Sequence, residues 1–349
     1  MAVSPGSVQS GGGGSFITGT PLSEHDTRPS VETPIYDPTD PLPLNRMILH
    51  LVETFFLNLG SNYPFLSKRQ ETFKLLVEEK KIEPILVNAI CALSARFSDH
   101  PLLSGSRDSS FAKWEYGQVF AQRAKAAIVD TFPCPTVGAV QACLLLAYEG
   151  FGSNQDSALW MYLGCAIRMA IDLGLQKLDG VKHRGQKDPV YRRSSMDSIQ
   201  SDPNPQISAK EKLEIEQERI DTLWAVFILD RVISSGTGRP VTLRDEDFEL
   251  SFPDVTASTS SDWPDPFPVL IQITHLYGRV SDILNNIRDV KDVTPGLISR
   301  LSGMEKNLTS LYQRLDQRLT FNAANFQDYV KSGQGTNFIL VNSIFESLA

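Results

Sequence analysis

The chain has 349 residues, of which 41% are hydrophobic and 21% are charged, an ordinary composition for a protein that buries a sizeable core. Asp and Glu number 41 against 33 Lys and Arg, so the formal net charge is -8. A surface that grips a phosphate backbone carries the opposite balance. We therefore do not expect the protein's surface as a whole to bind nucleic acid.

Residues 1–40 are rich in Gly, Ser, Pro and Thr and show no hydrophobic period. Such a segment cannot bury enough apolar area to offset the entropy of ordering it, so we predict a disordered linker. It has no basic and apolar start of the secretory type, and no apolar run in the chain approaches the length of a membrane span. The expectation is an intracellular protein without membrane contact.

Helical periodicity dominates residues 41–349, which we interpret as one helical body. Thr136 is the expected N-cap of one helix, and Gly174 suits the left-handed position that ends the next. In that second helix Met161 and Ile171 lie opposite the main apolar stripe, which predicts burial on most sides. No run alternates with period two, so the predicted fold class is all-α. The predicted helices cover residues 44–59, 67–79, 84–97, 116–131, 137–150, 156–174, 209–235, 266–288, 295–319 and 337–349.

The segment of about 178–209 has a linker composition and is predicted to be a disordered internal loop. It contains Arg192-Arg193-Ser194-Ser195, which makes Ser195 a candidate phosphosite for a basic-directed kinase. The alternative is a solvated linker whose basic residues only aid solubility.

The last predicted helix is apolar up to the end of the chain. This pattern suggests packing partners outside the chain, and we expect a fragment or a truncated gene product. The apolar positions are Phe338, Ile339, Val341, Ile344, Phe345 and Leu348.

Motifs for catalysis and metal binding are absent from the sequence. The five histidines are scattered, and the four cysteines form no C-x-x-C pair, which predicts buried, reduced thiols. We predict no catalytic residue, no metal ligand and no enzymatic activity. Asp230 beside Arg231 is interpreted as a helix-surface or helix–helix ion pair. Gly236-Thr237-Gly238 is interpreted as a turn that ends a helix, because no strand precedes it.

Four segments in series resemble the fungal-specific transcription factor domain, also called the middle homology region or the xylanolytic transcriptional activator regulatory domain. They are residues 51–73, 86–101, 137–177 and 218–253, and the resemblance covers about 44–253. The third segment carries the pattern A-I-R-M-A-x-x-L-G-L, and the fourth carries W-x-x-F-x-x-D-R followed by G-R-P. The family-motif positions, expected to be structural, are Arg168, Trp224, Asp230, Arg231, Gly238, Arg239 and Pro240.

The resemblance implies a regulatory domain that controls RNA polymerase II transcription in the nucleus. It implies action through intramolecular contacts, protein partners of the transcription machinery, a homodimer or heterodimer, or a small-molecule effector. The family accompanies zinc binuclear-cluster modules, but no cysteine precedes Cys91 here. The chain itself is therefore expected to bind neither zinc nor specific DNA, and zinc is expected only if a six-cysteine cluster lies upstream.

Two other functions remain open at this point. One is a stand-alone regulator without DNA binding that acts by heterodimerising with full-length relatives. The other is an all-α enzyme, which would need acid–base or metal groups clustered around one cavity.

Overall fold

A computed structural model describes residues 33–67, 70–104, 112–182, 208–255 and 263–348. Within these ranges the chain forms fourteen α-helices and no strand, which confirms the all-α fold class. The helices are α1 Arg46–Leu59, α2 Pro64–Ser67, α3 Gln70–Glu78, α4 Pro84–Ser94, α5 Pro101–Ser104, α6 Gln118–Thr131, α7 Val137–Gly152, α8 Asp156–Asp172, α9 Leu178–Val181, α10 Ala209–Thr237, α11 Pro266–Asn285, α12 Pro295–Gln313, α13 Ala323–Lys331 and α14 Gly335–Leu348.

Two helices, α4 and α7, lie at the centre of the core. Every residue of α4 from Ile85 to Ser94 is buried, and Leu144 and Leu145 of α7 are fully enclosed. Helix α7 packs against α4, α6 and α8, which explains why its sequence is apolar on all sides rather than on one stripe.

Two helix ends lie at the residues that the sequence predicted. The Thr136 side chain accepts a hydrogen bond from the main-chain N–H of Ala139 at 3.0 Å and starts α7. Gly174 follows α8 with a φ of +67°, a left-handed conformation that glycine adopts at little cost. Both predictions are confirmed.

The environment of α8 differs from the prediction. Met161 and Ile171 are 63% and 44% exposed, so burial on most sides is wrong. The helix buries the surface that faces α7 and α10, and hydrophobic side chains on its other side meet solvent. An apolar residue on a helix does not by itself require a packing partner.

Between residues 295 and 337 the helix prediction is also wrong in part. The predicted helix 295–319 ends at Gln313, and a short 3-10 turn follows at Gln317–Leu319. The sequence missed α13, whose amino end is capped by Asn322 accepting from Asn325 N–H at 2.8 Å. The predicted helix 67–79 is instead α2 and α3 on either side of residues 68–69.

Both predicted linkers include residues that pack on the helical body, so the disorder prediction is wrong for residues 34–40 and 178–182. Tyr36 is 3% exposed, and Arg123 donates a 2.7 Å hydrogen bond to the Pro34 carbonyl, so packed structure includes residues before 41. At the start of the internal segment, α9 packs on α10 because Arg219 Nε donates to the Gly180 carbonyl at 3.0 Å. Ser195 and the rest of 183–207 lie outside the described residues.

The last helix, α14, finds packing partners within the chain. Phe338, Val341 and Phe345 are buried, and the helix packs on α11 and α13. Asn337 also donates a 2.9 Å hydrogen bond to the Ser61 carbonyl. The apolar stripe of α14 is therefore a core face of this chain, although Leu340 is 44% exposed.

The prediction that all four cysteines are buried holds fully for two of them and in part for a third. Cys91 and Cys143 are buried and Cys165 is partly buried, all as free thiols. Cys134 is exposed, so the prediction is wrong there; it lies in the connection between α6 and α7, outside any helix. Within the described ranges, no helix is both long enough and apolar enough to cross a membrane.

Candidate functional site

Most of the family-motif residues lie on the second half of α10 and in the segment after it. Ser208 caps the helix, which runs for 29 residues, and Gly238 ends it with a φ of +66°. This is the helix-ending turn that the sequence predicted. The chain then reverses, and residues 242–252 return along α10 from Asp230 toward Trp224.

Asp230 holds the start of this returning segment. Its side chain is 0% exposed, and its Oδ2 accepts hydrogen bonds from Leu243 N–H at 2.9 Å and Thr242 N–H at 3.0 Å. Burial raises the pKa of the carboxyl group, while the two main-chain donors and Arg231 oppose that rise. The carboxylate therefore accepts from two main-chain groups of the returning segment, of which the Leu243 N–H is buried and would otherwise lack a partner.

Arg231 holds the same segment from the other side. It is 3% exposed and donates to the Leu243 carbonyl at 2.6 Å and to Asp245 Oδ1 at 2.9 Å. Its Nη1 also lies 3.4 Å from Asp230 Oδ2. We call Asp230, Arg231 and residues 242–245 the clasp. The interpretation of a helix-surface or helix–helix ion pair is wrong, because both side chains are buried and bind a loop.

An aromatic cluster continues the contact beyond the clasp. Trp224 is 2% exposed and stacks on Phe248 and Phe252, with ring centroids 5.7 and 5.4 Å apart. Phe252 in turn lies 4.8 Å from the His275 ring, and Phe227 lies beneath the Arg231 guanidinium at 4.4 Å. Stacked and edge-on rings of this kind add to the stabilisation from burial alone.

Helix α11 closes the clasp with a histidine and a glycine that the sequence analysis did not single out. His275 Nδ1 lies 3.5 Å from Asp245 Oδ1. Burial lowers the pKa of His275, and the nearby Arg231 and Arg279 lower it further, whereas Asp245 raises it. Gly278 leaves the space that the Arg231 side chain occupies. A glycine inside a long apolar helix was the one available signal.

The remaining motif residues lie outside the clasp. The Arg239 guanidinium sits 5.0 Å above the ring of Trp160 on α8, and the Pro240 carbonyl accepts from Ser234 Oγ at 3.2 Å. Arg168 is exposed on α8, two turns beyond Trp160. The structure therefore brings together Trp224, Asp230 and Arg231 but not Arg168.

The clasp fixes the position of a loop and offers few groups for chemistry. In the ranges that the structure describes, no three His, Cys, Asp or Glu side chains lie together as metal ligands. The physical effect of the arrangement is to hold residues 242–252 against α10 and α11.

Comparisons with known proteins agree on one family. Residues 52–324 match the family model described as "Fungal specific transcription factor domain". The chain is 30% identical over 235 residues to the Zn(2)-C6 fungal-type transcription factor FTF1c of Fusarium oxysporum f. sp. lycopersici, which covers 66% of this chain and 22% of that protein. It is 26% identical over 360 residues to the nitrogen assimilation transcription factor nit-4 of Neurospora crassa, covering 92% of this chain and 29% of that protein. No solved structure matches the chain.

Proposed function

Because the chain belongs to the fungal-specific transcription factor domain family, we propose that it is the regulatory domain of a transcription factor that controls RNA polymerase II transcription. The observation that carries this proposal is the family match over residues 52–324, which runs from within α1 to the first residues of α13. The matched part of the chain spans less than a third of the length of the relatives named above. Any activity of a whole transcription factor is therefore part of the proposal.

In this proposal, DNA binding and zinc belong to a separate module. The printed name of FTF1c refers to a Zn(2)-C6 transcription factor, and such a cluster needs cysteine ligands close together. The four cysteines of this chain are free and scattered. The domain would act in the nucleus through intramolecular contacts, a dimer or a partner protein, and it would not act as an enzyme.

The proposed role of the motif residues is structural. Trp224, Asp230 and Arg231 fix residues 242–252, and Arg239 ties the end of α10 to α8 through Trp160. In this proposal, the motif residues stabilise the helical domain and do not form a ligand site.

A reporter assay tests the proposal. The full chain is fused to a heterologous zinc-cluster DNA-binding domain in a fungal host, and transcription from its target promoter is compared with that of the DNA-binding domain alone. We expect a severalfold change in either direction. The Asp230→Ala fusion should lose the effect because the clasp opens, and the Asp247→Asn fusion, altered at an exposed residue next to the clasp, should keep it.

One outcome would contradict the proposal. If the fusion is expressed, folded and nuclear, yet transcription stays at the level of the DNA-binding domain alone, the chain is not a regulatory domain.

A further inference from the structure

A second feature of the molecule is an open cleft of about 200 Å³ between α11 and α12. The two helices pack on each other, and each lines the cleft with one stripe of side chains three and four positions apart. The stripe on α11 runs from Gln272 to Arg279. The stripe on α12 runs from Asn307 to Arg314, the residue that caps the end of that helix. Side chains from two helices therefore face one space that is open to solvent.

The ionised side chains that line this cleft are both basic. Arg279 comes from α11 and Arg314 from the end of α12, and no Asp or Glu is among the lining residues that the structure describes. Within the same described ranges, neither arginine forms an ion pair. The formal net charge of the chain is -8, so a cleft with basic and no acidic side chains runs against the overall balance. Two positive charges on one cleft favour a bound anion.

Both guanidinium groups are accessible to a ligand. Arg279 and Arg314 are exposed, and in the described part of the chain only Nε of Arg314 is committed, by donating to the Ser310 carbonyl at 3.3 Å. The Asn307 and Ser310 side chains are exposed on the same stripe and supply two further donors. An anion that enters from solvent can therefore reach each of these groups.

The floor of the cleft is apolar. Leu276 and Leu311 are 8% and 2% exposed, and Phe252 forms part of the wall with 41% of its surface exposed. A ligand group in contact with these side chains gains free energy from apolar burial. The cleft therefore suits an anion that carries a small apolar group.

Neighbouring groups change the charge of the cleft without reversing it. Burial lowers the pKa of His275 further than Asp245 raises it, so the imidazole adds no positive charge at pH 7.5. Asp245 itself is paired with Arg231 at 2.9 Å. The carbonyl end of α12 carries about half a negative charge, less than the two guanidinium charges together. The field in the cleft therefore stays positive.

We propose that this cleft binds a small phosphate monoester, with the phosphate group between Arg279 and Arg314 and the ester group against Phe252 and Leu311. A phosphate monoester carries close to two negative charges and three acceptor oxygens at neutral pH. It matches two guanidinium groups on two helices better than a carboxylate, which one arginine can saturate. Binding does not depend on the proposed transcriptional function. Only a change of transcription on binding rests on it.

Calorimetric titration of the full chain at pH 7.5 and low ionic strength tests the proposal. The probes are phenyl phosphate, phenyl sulfate and phenol, which share one ring and differ in charge. We expect phenyl phosphate to bind the wild-type chain roughly tenfold more tightly than phenyl sulfate, and phenol to bind most weakly, because each added charge strengthens the contact with the arginines.

Substitutions locate the contact. Arg279→Gln and Arg314→Gln should each weaken the binding of phenyl phosphate roughly tenfold and leave the binding of phenol unchanged. The matched control is Arg300→Gln, which alters an exposed arginine of α12 outside the cleft and should change neither. All three arginines are exposed, and equal unfolding midpoints of the variants check that the fold is retained.

A phosphate monoester occurs in small metabolites and on phosphorylated side chains. Phenyl phosphate represents the first source, and N-acetyl-O-phosphoserine amide represents the second. We expect phenyl phosphate to bind more tightly, because its ring can contact the apolar floor of the cleft. Tighter binding of the phosphoserine amide would overturn the assignment to a small ester and point to a phosphorylated chain.

Three other results would overturn the proposal: no saturable binding of phenyl phosphate, equal binding of phenyl phosphate and phenyl sulfate, or the same loss in Arg300→Gln as in the two cleft variants. These measurements use no DNA and no reporter. A negative titration would therefore leave the transcriptional proposal standing, and a silent reporter would leave the phosphate site standing.

Discussion

Gly278 of α11 lies against Arg231 of α10 so closely that a β-carbon at residue 278 would stand 2.7 Å from Arg231 Cδ. The guanidinium beyond that carbon is fixed by Leu243 and Asp245, so it cannot move aside freely. The backbone of α11 therefore forms one wall of the slot in which Arg231 reaches the loop.

We expect Gly278→Ala to destabilise the protein by about 1 to 3 kcal/mol, the usual cost of overpacking a buried site. The matched control is Gly303→Ala in α12, where no atom lies within 4 Å of the added methyl group. Alanine is more stable than glycine in the interior of a helix, so Gly303→Ala should stabilise the protein by about 0.5 to 1 kcal/mol. Chemical unfolding measures both, and equal effects of the two substitutions would contradict the close approach.

Removal of the Asp230 carboxylate should open the clasp. Asp230→Ala leaves the N–H groups of Thr242 and Leu243 without an acceptor and takes a counter-charge from buried Arg231, so we expect a loss of about 3 to 5 kcal/mol. Asp230→Asn should cost less, because the amide oxygen can still accept. The control is Asp247→Asn, exposed in the same loop. A loss below about 1 kcal/mol for Asp230→Ala would show that the clasp does not hold the loop.

His275 should make stability depend on pH in the weakly acidic range. Its pKa is below the ordinary 6.5 in the folded chain, mainly through burial and then through Arg231 and Arg279, with Asp245 opposing. As the pH falls, His275 becomes protonated in the unfolded chain before it does in the folded chain. Its contribution to the free energy of unfolding is therefore fully present above pH 6.5 and is lost as the pH falls through the pKa of the folded chain. His275→Phe keeps a ring beside Phe252 but cannot titrate.

Unfolding midpoints of the wild type and His275→Phe, measured from pH 7.5 to 5, check this prediction. The wild type should lose stability on acidification relative to the variant. Parallel curves for wild type and His275→Phe would contradict the lowered pKa.

Arg239 and Arg168 should behave differently although both occupy family-motif positions. Arg239 lies 5.0 Å above the Trp160 ring and is partly buried, so the pair should contribute about 0.5 to 1 kcal/mol. A double-mutant cycle with Arg239→Ala and Trp160→Leu measures that coupling. Arg168 lies at an exposed position of α8, so Arg168→Ala should change the free energy of unfolding by less than about 0.5 kcal/mol. A coupling of zero would leave Arg239 without a stabilising contact.

Local signals account for the parts of the fold that the sequence predicted well. The helical periodicity that places α6 and α10 depends on apolar residues three and four positions apart, and α7 is marked by a long apolar run after its N-cap. The helix ends at Thr136, Gly174 and Gly238 depend on one side chain or one backbone conformation. The nine-residue α13 was missed although Asn322 caps it, because so short a helix carries little signal along the sequence and depends on tertiary packing for its stability.

The candidate site was predictable only as a set of motif positions. The resemblance marked Asp230 and Arg231, but it did not indicate that they bind Thr242, Leu243 and Asp245, twelve or more residues further along the chain. The interpretation of a surface ion pair failed for this reason, since burial is a property of the packed chain.

By itself, the amino-acid sequence determined the all-α class, most helix positions and the family, because each follows from short-range periodicity, capping or a motif along the chain. Only the tertiary structure decided which side of α8 meets solvent, why residue 278 is a glycine, and that Asp230 and Arg231 hold a loop twelve or more residues away. Those facts depend on which distant segments pack together, and the order of residues along the chain does not display that packing.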